Sequence, residues 1–336
     1  MDNATHTSYC AEDRSYFSLL KKDINRKAAE AGFDSKKLSE LDIIVAEMTS
    51  NLLKHADKGE LLMCITGEAG QEYLELICID SGPGISDPER MKLDGVSTTS
   101  TSGNGLGSIK RLSDYFEIYS IKGWGTILLC RIYKSPEDRV KPKKIDIRFL
   151  VVAKPGETVS GDGGMFIHTP DHFKLLVADG LGHGPEAHKA IVEAREAFKI
   201  CKNDDPVDII RFLHQSIKKT RGAVGTVVVY DFKRKIWKIA GVGNITTGMM
   251  NYQSVRNLMS YNGIIGHNIP NTMSSQEISS DDFHQITLCS DGLKTRWDST
   301  KYPGIHKYDL SFLAAALYKD YGRRTDDMSV VVCNVH

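Results

Sequence analysis

A charged stretch that contains two prolines divides this sequence into two parts. Residues 134–144, KSPEDRVKPKK, show no apolar periodicity, whereas the segments on either side alternate between helix-like and strand-like patterns. A chain of 336 residues is long enough to build two hydrophobic cores. We therefore predict two domains, at residues 1–133 and 145–336, joined by a linker at 134–144.

The composition excludes several functional classes. Hydrophobic residues make up 41% of the chain and charged residues 26%, which is typical of a globular protein. The formal net charge of +0 argues against a nucleic-acid surface and against electrostatic membrane binding. The sequence contains neither an apolar run of about 20 residues nor an N-terminal signal core. We expect a cytoplasmic protein with no nucleic-acid or membrane partner, of undetermined oligomeric state. Its seven scattered cysteines are expected to be reduced and buried.

Hydrophobic periodicity predicts both helices and strands in each half, and therefore an α/β chain. The predicted helices are 15–31, a second one after Asp34, 105–115, 185–201, 206–220 and 310–318. The predicted strands are 61–66, 73–79, 116–121, 126–133, 145–153, 173–178, 226–230, 236–240, 285–289 and 328–332. In the second helix, apolar residues recur at steps of three and four and predict one buried face: Leu38, Leu41, Val45, Met48 and Leu52.

An acid and an amide share another face of that helix. Glu47 and Asn51 are four residues apart, so they lie one above the other. An Asn side-chain oxygen suits a Mg²⁺ ion that bridges phosphates, and a Glu can orient or deprotonate an attacking hydroxyl. The same spacing is also typical of a solvated helix face, so the pair alone leaves both interpretations open.

Asp80 begins the motif Asp-Ser-Gly-Pro-Gly directly after the predicted strand 73–79. A carboxylate at a strand end can accept a hydrogen bond from an adenine amino group. Gly82 and Gly84 allow a close backbone approach and positive φ angles. An ordinary turn after a strand would have a similar composition.

A glycine-rich segment precedes the predicted helix 105–115. Gly103, Gly105 and Gly107 leave the start of this helix free of branched side chains, and N–H groups at a helix start bind phosphate. The preceding residues 97–102, STTSTS, have the composition of a lid. No Gly-Lys-Ser/Thr follows, so this is not a Walker loop.

Together, these motifs resemble the GHKL-type (Bergerat) ATP-binding fold, in the branch of RsbT-like switch and anti-sigma serine kinases. The likeness covers about residues 10–133 and is carried most clearly by 105–118 and 123–126. The resemblance implies an ATP-binding α/β sandwich that phosphorylates Ser or Thr on STAS-domain antagonist or scaffold partners. It further implies a residue set in which Asn51 binds Mg²⁺, Glu47 is the base, Asp80 reads adenine and Thr126 lies on the adenine side.

Four aspartates in the second half stand at predicted strand ends or beside glycines: Asp162, Asp179, Asp291 and Asp326. Carboxylates at strand ends can converge on one edge of a sandwich. Hard oxygen ligands favour Mg²⁺ or Mn²⁺, and two such ions can activate a water molecule for attack on a phosphoryl group. Gly180 is the candidate for a backbone carbonyl ligand. Each Asp-Gly pair taken alone would predict only a turn.

The order Gly-Asp, Ala-Asp-Gly-x-Gly-His-Gly, Ser-Asp-Gly and Asp-Asp-Met-Ser resembles the RsbX/SpoIIE-like metal-dependent Ser/Thr phosphatases, over about residues 145–336. The resemblance implies a β-sandwich core flanked by helices, in which Asp179 bridges two metals and the other three aspartates complete the set. Asp327 is the less favoured residue of its pair, because the family's ligand is the first one. His183 either assists phosphate chemistry or fills a turn.

We therefore expect a bifunctional switch enzyme of a partner-switching stress response, which uses ATP and Mg²⁺ or Mn²⁺. One half would phosphorylate STAS-domain partners, and the other would hydrolyse phosphoserine or phosphothreonine on the same or a sister partner. Two alternatives stay open. The first half could be a binding module that gates the phosphatase, or the chain could be an anti-sigma factor.

Overall fold

The computed structural model describes most of the chain, namely residues 5–10, 14–55, 59–67, 71–85, 105–135, 144–251 and 254–336. Gly103, the predicted lid at 97–102 and most of the predicted linker lie outside the described residues. The chain divides into two compact units. The first unit consists of residues 6–142 and 300–316, and the second of residues 1–5, 143–299 and 317–336. The domain limits at 133 and 145 stay a prediction.

The first unit is a layer of helices on one antiparallel sheet. Its helices are α1 (Arg14–Glu30), α2 (Ser35–His55) and α3 (Gly105–Leu112). Its strands are β1 (Thr7–Cys10), β2 (Gly59–Thr66), β3 (Tyr73–Asp80), β4 (Tyr115–Ile121) and β5 (Gly125–Tyr133), in the sheet order β1-β2-β3-β5-β4.

The predicted apolar stripe of α2 forms part of this unit's core. Leu41, Val45, Met48 and Leu52 are buried, and Leu38 packs against them while partly buried. These side chains meet strand residues of alternating orientation, so one face of the sheet and one face of the helices enclose a single core.

The second unit contains ten strands and the helices α4 (Pro185–Ile200) and α5 (Pro206–Ser216). Its strands are β6 (Ile145–Val152), β7 (Asp162–His168), β8 (His172–Gly180), β9 (Ala223–Asp231), β10 (Ile236–Val242), β11 (Thr246–Met250), β12 (Val255–Leu258), β13 (Gln276–Ser279), β14 (Gln285–Cys289) and β15 (Met328–Val335). A further helix, α6 (Leu310–Tyr321), contributes residues to both units.

These strands form two antiparallel sheets, with the orders β13-β10-β9-β8-β7 and β12-β11-β14-β15-β6. One core lies between the sheets and includes Trp237 and Leu288, both fully buried. A second core lies between the first of these sheets and the helices α4 and α5, around Phe198 and Ile210. The predicted α/β class and the β-sandwich flanked by helices are confirmed.

The predicted helices and strands are confirmed to within a few residues at their ends. The prediction misses β1, β7, β11, β12 and β13. Most of these strands are short, and β12 exposes three of its four residues, so they lack the apolar run that marks a central strand. Within the described residues the seven cysteines form no disulfide bond and six of them are buried, but Cys10 is exposed, so the expected burial is wrong for that residue.

None of the helices within the described ranges combines the length and the apolarity that crossing a bilayer requires.

A buried charge cluster surrounds Arg131 of β5 in the first unit. The Arg131 guanidinium donates a 2.6 Å hydrogen bond to Glu75 of β3 and two hydrogen bonds, of 2.8 and 2.9 Å, to Asp309. Burial alone would raise the pKa of Glu75, but the charge of Arg131 lowers it. Asp309 belongs to residues 300–316, so this segment supplies one of the two carboxylates that neutralise Arg131.

We expect Arg131→Met to lower the free energy of unfolding of the first unit by about 3–5 kcal/mol, because Glu75 and Asp309 would stay buried without their cation. Urea unfolding followed by circular dichroism measures this loss. Lys134→Met is the matched control: its ion pair with Glu72 is exposed by 35% and 42% at the two side chains, and such pairs contribute about 0–1 kcal/mol. Equal losses in the two variants would contradict the role given to Arg131.

Candidate functional site

The acidic site of the second unit begins with two aspartates on neighbouring strands. Asp162 is the first residue of β7, and Asp179 lies next to the end of β8. The antiparallel register pairs these two residues directly. Residues paired in this way place their side chains on the same face of the sheet, so the two carboxylates are neighbours. Asp162 is only 4% exposed.

Asp291 and Asp326 reach the same place from the other sheet. Asp291 follows β14 and Asp326 precedes β15, and these two strands pair along their length. Burial and the negative charges of Asp162, Asp291 and Asp326 raise the pKa of Asp179. The structure therefore brings all four predicted aspartates together, although their roles remain a prediction.

Asp327, the neighbour of Asp326, has a different environment. Its two carboxylate oxygens each accept a 2.9 Å hydrogen bond from the backbone, one from Lys154 N–H and the other from Gly161 N–H. Its charge contributes, after burial, to the raised pKa of Asp162. Asp327 thus ties the segment before β7 to the start of β15, which holds Asp162 close to Asp326.

The donor set at this edge fits divalent cations. Oδ2 of Asp162 is buried and has no hydrogen-bond partner in the part of the chain that the structure describes, and crowded carboxylates favour a positive charge between them. Within the described parts of the chain, no group of three or more His, Cys, Asp or Glu side chains has the geometry of a metal-binding site. The carboxylates are therefore gathered, but their oxygens do not converge on one point.

Gly180 follows Asp179 and packs tightly. A Cβ atom at Gly180 would lie 2.4 Å from the carbonyl oxygen of Ala187 in α4, so only glycine fits there. Its N–H donates to Gly161 O at 2.9 Å, which adds a second link between the ends of β7 and β8. The predicted role of its carbonyl as a ligand stays a prediction.

Two contacts at this edge were not predicted from the sequence. Asn244 Nδ2 donates a 2.9 Å hydrogen bond to Asp291 and so orients that carboxylate. His183 Nδ1 lies 2.6 Å from Oε1 of Glu157, which fixes the ring beside the loop that follows Asp179. The sequence has the motif Gly-Val-Gly-Asn at 241–244, but the residues around this motif do not predict a contact with Asp291, which is distant in the sequence.

In the first unit, Asp80 is held by backbone donors at the end of β3. Its Oδ1 accepts from Gly82 N–H at 2.8 Å and from Thr126 N–H at 3.1 Å. Thr126 is the second residue of β5. The predicted residues Asp80, Gly82 and Thr126 are therefore brought together, and the orientation of the carboxylate is fixed.

Two glycines let the loop after Asp80 approach the turn between β4 and β5. Gly84 has a φ of +76°, and a Cβ atom there would lie 2.3 Å from Ile121 O. Gly125 has a φ of +123°, and its Cβ would lie 2.1 Å from the carbonyl oxygen of Asp80. Both positions require glycine for conformation and for space.

Glu47 and Asn51 of α2 face the start of α3. A Cβ atom at Gly105, the first residue of α3, would lie 2.7 Å from Glu47 Oε2 and 3.8 Å from Asn51 Oδ1. Gly107 is buried in the same helix, and Gly103 lies outside the described residues. The predicted base Glu47, the predicted Mg²⁺-binding residue Asn51 and the N-terminus of α3 therefore lie close together.

The two groups of first-unit residues lie at the same end of the sheet. Gly59 pairs with Asp80 across β2 and β3. A Cβ atom at Gly59 would lie 2.7 Å from Leu52, which follows Asn51 in α2. The end of β3 that carries Asp80 therefore packs beneath the part of α2 that carries Asn51.

Comparison with known proteins identifies relatives of both halves of the chain. A family model described as a histidine kinase-like ATPase domain matches residues 11–132. The serine/threonine-protein kinase RsbT of Bacillus subtilis (strain 168) is 34% identical over 99 residues, which cover 30% of this chain and 74% of RsbT. The chain belongs to the RsbT family. The predicted GHKL-type resemblance of the first half is thereby confirmed.

This RsbT-family chain has a second relative. The phosphoserine phosphatase RsbX of Bacillus subtilis (strain 168) is 29% identical over 94 residues, which cover 27% of the chain and 46% of RsbX, so the match spans about half of RsbX. A crystal structure of RsbX with magnesium has the same fold, with a TM-score of 0.51 and 18% identity over 59% of this chain and 98% of that one.

A further structure, described under the subject of the bacterial stressosome as a modular system, has a TM-score of 0.53 and 27% identity. It covers 57% of this chain and 100% of that one. The RsbT-family chain is thus a fusion of a kinase-like domain with a phosphatase-type domain, as the two resemblances predict.

We expect Gly125→Ala to destabilise the first unit by about 1–3 kcal/mol, because the new Cβ collides with the backbone of Asp80 at an unfavourable φ. Gly123→Ala is the matched control: it has a φ of +77° but nothing within 4 Å of the new Cβ. The shift in urea midpoint of each variant measures the difference. An equal shift in both would show that backbone conformation alone, and not the approach to Asp80, requires Gly125.

Proposed function

We propose that this chain is a bifunctional signalling switch enzyme. Its first unit would transfer phosphate from ATP to Ser or Thr on STAS-domain partners, and its second unit would remove phosphate from phosphoserine or phosphothreonine on the same or a sister partner. The observation that supports the proposal is that each unit gathers residues of types suited to phosphate chemistry: Glu47, Asn51 and Gly105 in one, and four aspartates in the other.

In the first unit, phosphoryl transfer requires positioning and charge neutralisation more than covalent chemistry. The N-terminus of α3 and Asn51 would hold the phosphates and their Mg²⁺, while Asp80 would accept from the adenine amino group. Glu47 would orient the attacking hydroxyl or take its proton. Gly105 supports this assignment because its lack of a side chain lets the Glu47 carboxylate lie close to the N-terminus of α3.

In the second unit, the four aspartates would hold two divalent cations, either Mg²⁺ or Mn²⁺. Such ions, when bound, neutralise charge on a phosphoryl group and lower the pKa of water. Asp179 is central to the cluster, since its pKa is raised by the three other carboxylates after burial. Asn244 would keep the Asp291 carboxylate oriented, and Asp327 would hold the backbone on which Asp162 lies.

The fusion itself supports a common partner. Two sites in one chain raise the effective concentration of each site near a partner that is bound to the other. RsbT is by name a serine/threonine kinase and RsbX a phosphoserine phosphatase, so the two relatives have opposed activities. A chain that joins them could set the phosphorylation level of one partner in both directions, as a partner-switching regulator does.

We expect Asp179→Asn to reduce hydrolysis of a phosphoserine STAS-domain protein by at least about 100-fold, because it removes the charge at the centre of the cation site. Phosphate release in Mg²⁺ or Mn²⁺ measures this. Asp171→Asn is the matched control, since Asp171 is an exposed carboxylate at the other end of the β7–β8 hairpin. Full activity of Asp179→Asn, or wild-type activity that survives a chelator, would refute the phosphatase assignment.

We expect Glu47→Gln to reduce phosphate transfer from labelled ATP to a STAS-domain protein by about 10²–10⁴-fold, the usual contribution of a general base. ATP affinity should stay close to that of the wild type. Glu30→Gln, at an exposed position of α1, is the control. If Glu47→Gln transfers phosphate normally, the base assignment is wrong. If the wild type binds ATP but phosphorylates no STAS-domain protein, the first unit is a binding module instead.

A further inference from the structure

Residues 300–316 pack in the first unit although they lie, in the sequence, between two aspartates of the second unit. The chain leaves the second unit after Ser299, soon after Asp291, and returns at Leu317, shortly before Asp326. We call residues 300–316 the docked segment. In the sequence, the docked segment is therefore flanked on one side by Asp291 and on the other by Asp326, two of the four carboxylates of the acidic site.

The docked segment is held in the first unit by aromatic and ionic contacts. The ring of Tyr302 lies 5.6 Å from that of Trp124, and the ring of Tyr308 lies 5.2 Å from that of Tyr119. Asp309 completes the buried charge cluster of Arg131. These contacts are specific, because aromatic pairs and bidentate ion pairs both depend on geometry.

One of these contacts falls on the turn that leads to Thr126, a backbone donor to Asp80. Trp124 stands in the β4–β5 turn, directly before Gly125 and Thr126. The N–H of Thr126 donates to Asp80, and the N–H of Gly123 donates to Pro83 O at 2.8 Å. The docked segment therefore packs against Trp124, which lies two residues before one of the backbone donors to the proposed adenine-reading carboxylate.

The C-terminal part of the docked segment forms the first turns of helix α6, which leads towards Asp326 in the sequence. Helix α6 begins in the segment and runs without interruption to Tyr321. Just beyond the helix, Arg323 N–H donates to Gly292 O at 2.8 Å, and Lys294 N–H donates to Tyr321 O at 3.0 Å. The end of α6 is thus bonded to the loop that carries Asp291.

The same loop packs closely against the backbone of Asp327. A Cβ atom at Gly292 would lie 2.1 Å from the carbonyl oxygen of Asp327. Asp327 in turn accepts from the backbone beside Asp162. The docked segment is therefore joined, through helix α6, to residues that hydrogen-bond the loop of Asp291.

We propose that nucleotide bound beside Asp80 activates the phosphatase site through the docked segment. Nucleotide would order the β4–β5 turn, the ordered turn would hold the docked segment, and α6 would hold the loops of Asp291 and Asp326 in place. An element that is ordered by one ligand costs less to order for a second one, so the two sites become coupled. This inference rests on the function proposed above, and it adds a regulator to that function.

The test measures hydrolysis of p-nitrophenyl phosphate by the full chain at a fixed free Mg²⁺ concentration, with and without saturating ADP. We expect ADP to raise the rate about fivefold or more, within the usual range of allosteric coupling. Tyr308→Ala should retain the basal rate and the ADP affinity but lose the activation. Tyr308→Phe, which keeps the ring beside Tyr119, should respond as the wild type does. An unchanged or lower rate with ADP would overturn the proposal, as would normal activation of Tyr308→Ala.

Hydrogen exchange gives a readout that does not depend on catalysis. ADP should slow amide exchange in residues 290–298 and 317–327 of the wild type and of Tyr308→Phe, but not of Tyr308→Ala. If the wild type hydrolyses no phosphoester and yet shows this protection, the phosphatase assignment fails while the coupling stands. If hydrolysis is normal and ADP, shown by calorimetry to be bound, protects neither stretch, the coupling fails and the phosphatase assignment stands.

Discussion

The pairing of Asp162 with Asp179 is the constraint on which the acidic site depends. The register between β7 and β8 is fixed along both strands by alternating side chains, and a shift of one residue would move every one of them to the opposite face. The register therefore holds two carboxylates side by side at a buried edge, where Asp291 and Asp326 add to the repulsion. An edge of this kind is costly for the folded protein unless a cation or a proton occupies it. The raised pKa values express that cost.

Buried charge is neutralised by protein groups in the first unit, whereas the buried carboxylates of the second unit repel one another. In the first unit, the Arg131 guanidinium has two carboxylate partners, Glu75 and Asp309, and it also donates to the hydroxyl oxygen of Ser311, so its charge is neutralised within the protein. In the second unit, Oδ2 of Asp162 has no partner among the described residues. A satisfied charge cluster stabilises one arrangement of the chain, whereas an unsatisfied one is prepared to receive a ligand. The first cluster is therefore structural, and the second has the character of a binding site.

Local patterns in the sequence were enough to predict many elements but not the contacts between distant ones. The stripe from Leu41 to Leu52 and the strand ends that carry Asp179 and Asp291 follow from short-range periodicity, and both agree with the structure. The contact between Asn244 and Asp291 does not, because it joins residues 47 positions apart. The structural role of Asp327 could likewise not be predicted, because the sequence of an Asp-Asp pair does not show which of the two carboxylates accepts from backbone donors. The docked segment was expected to belong with the residues around it in the sequence. Its true surroundings depend on Arg131, which is far away in the chain.

The charge cluster of Arg131 also explains why the first unit cannot be reduced to the part of the chain that resembles RsbT. Asp309 accepts hydrogen bonds from both terminal nitrogens of the guanidinium, and Tyr308 and Phe312 cover the ring of Tyr119. Without the docked segment, one face of β4 and β5 would present a guanidinium that has lost Asp309 and Ser311 as partners, and an uncovered aromatic surface. The residues between Asp291 and Asp326 supply this carboxylate and these aromatic rings. The kinase-like unit is thus completed by residues that lie, in the chain, between two of the aspartates of the acidic site.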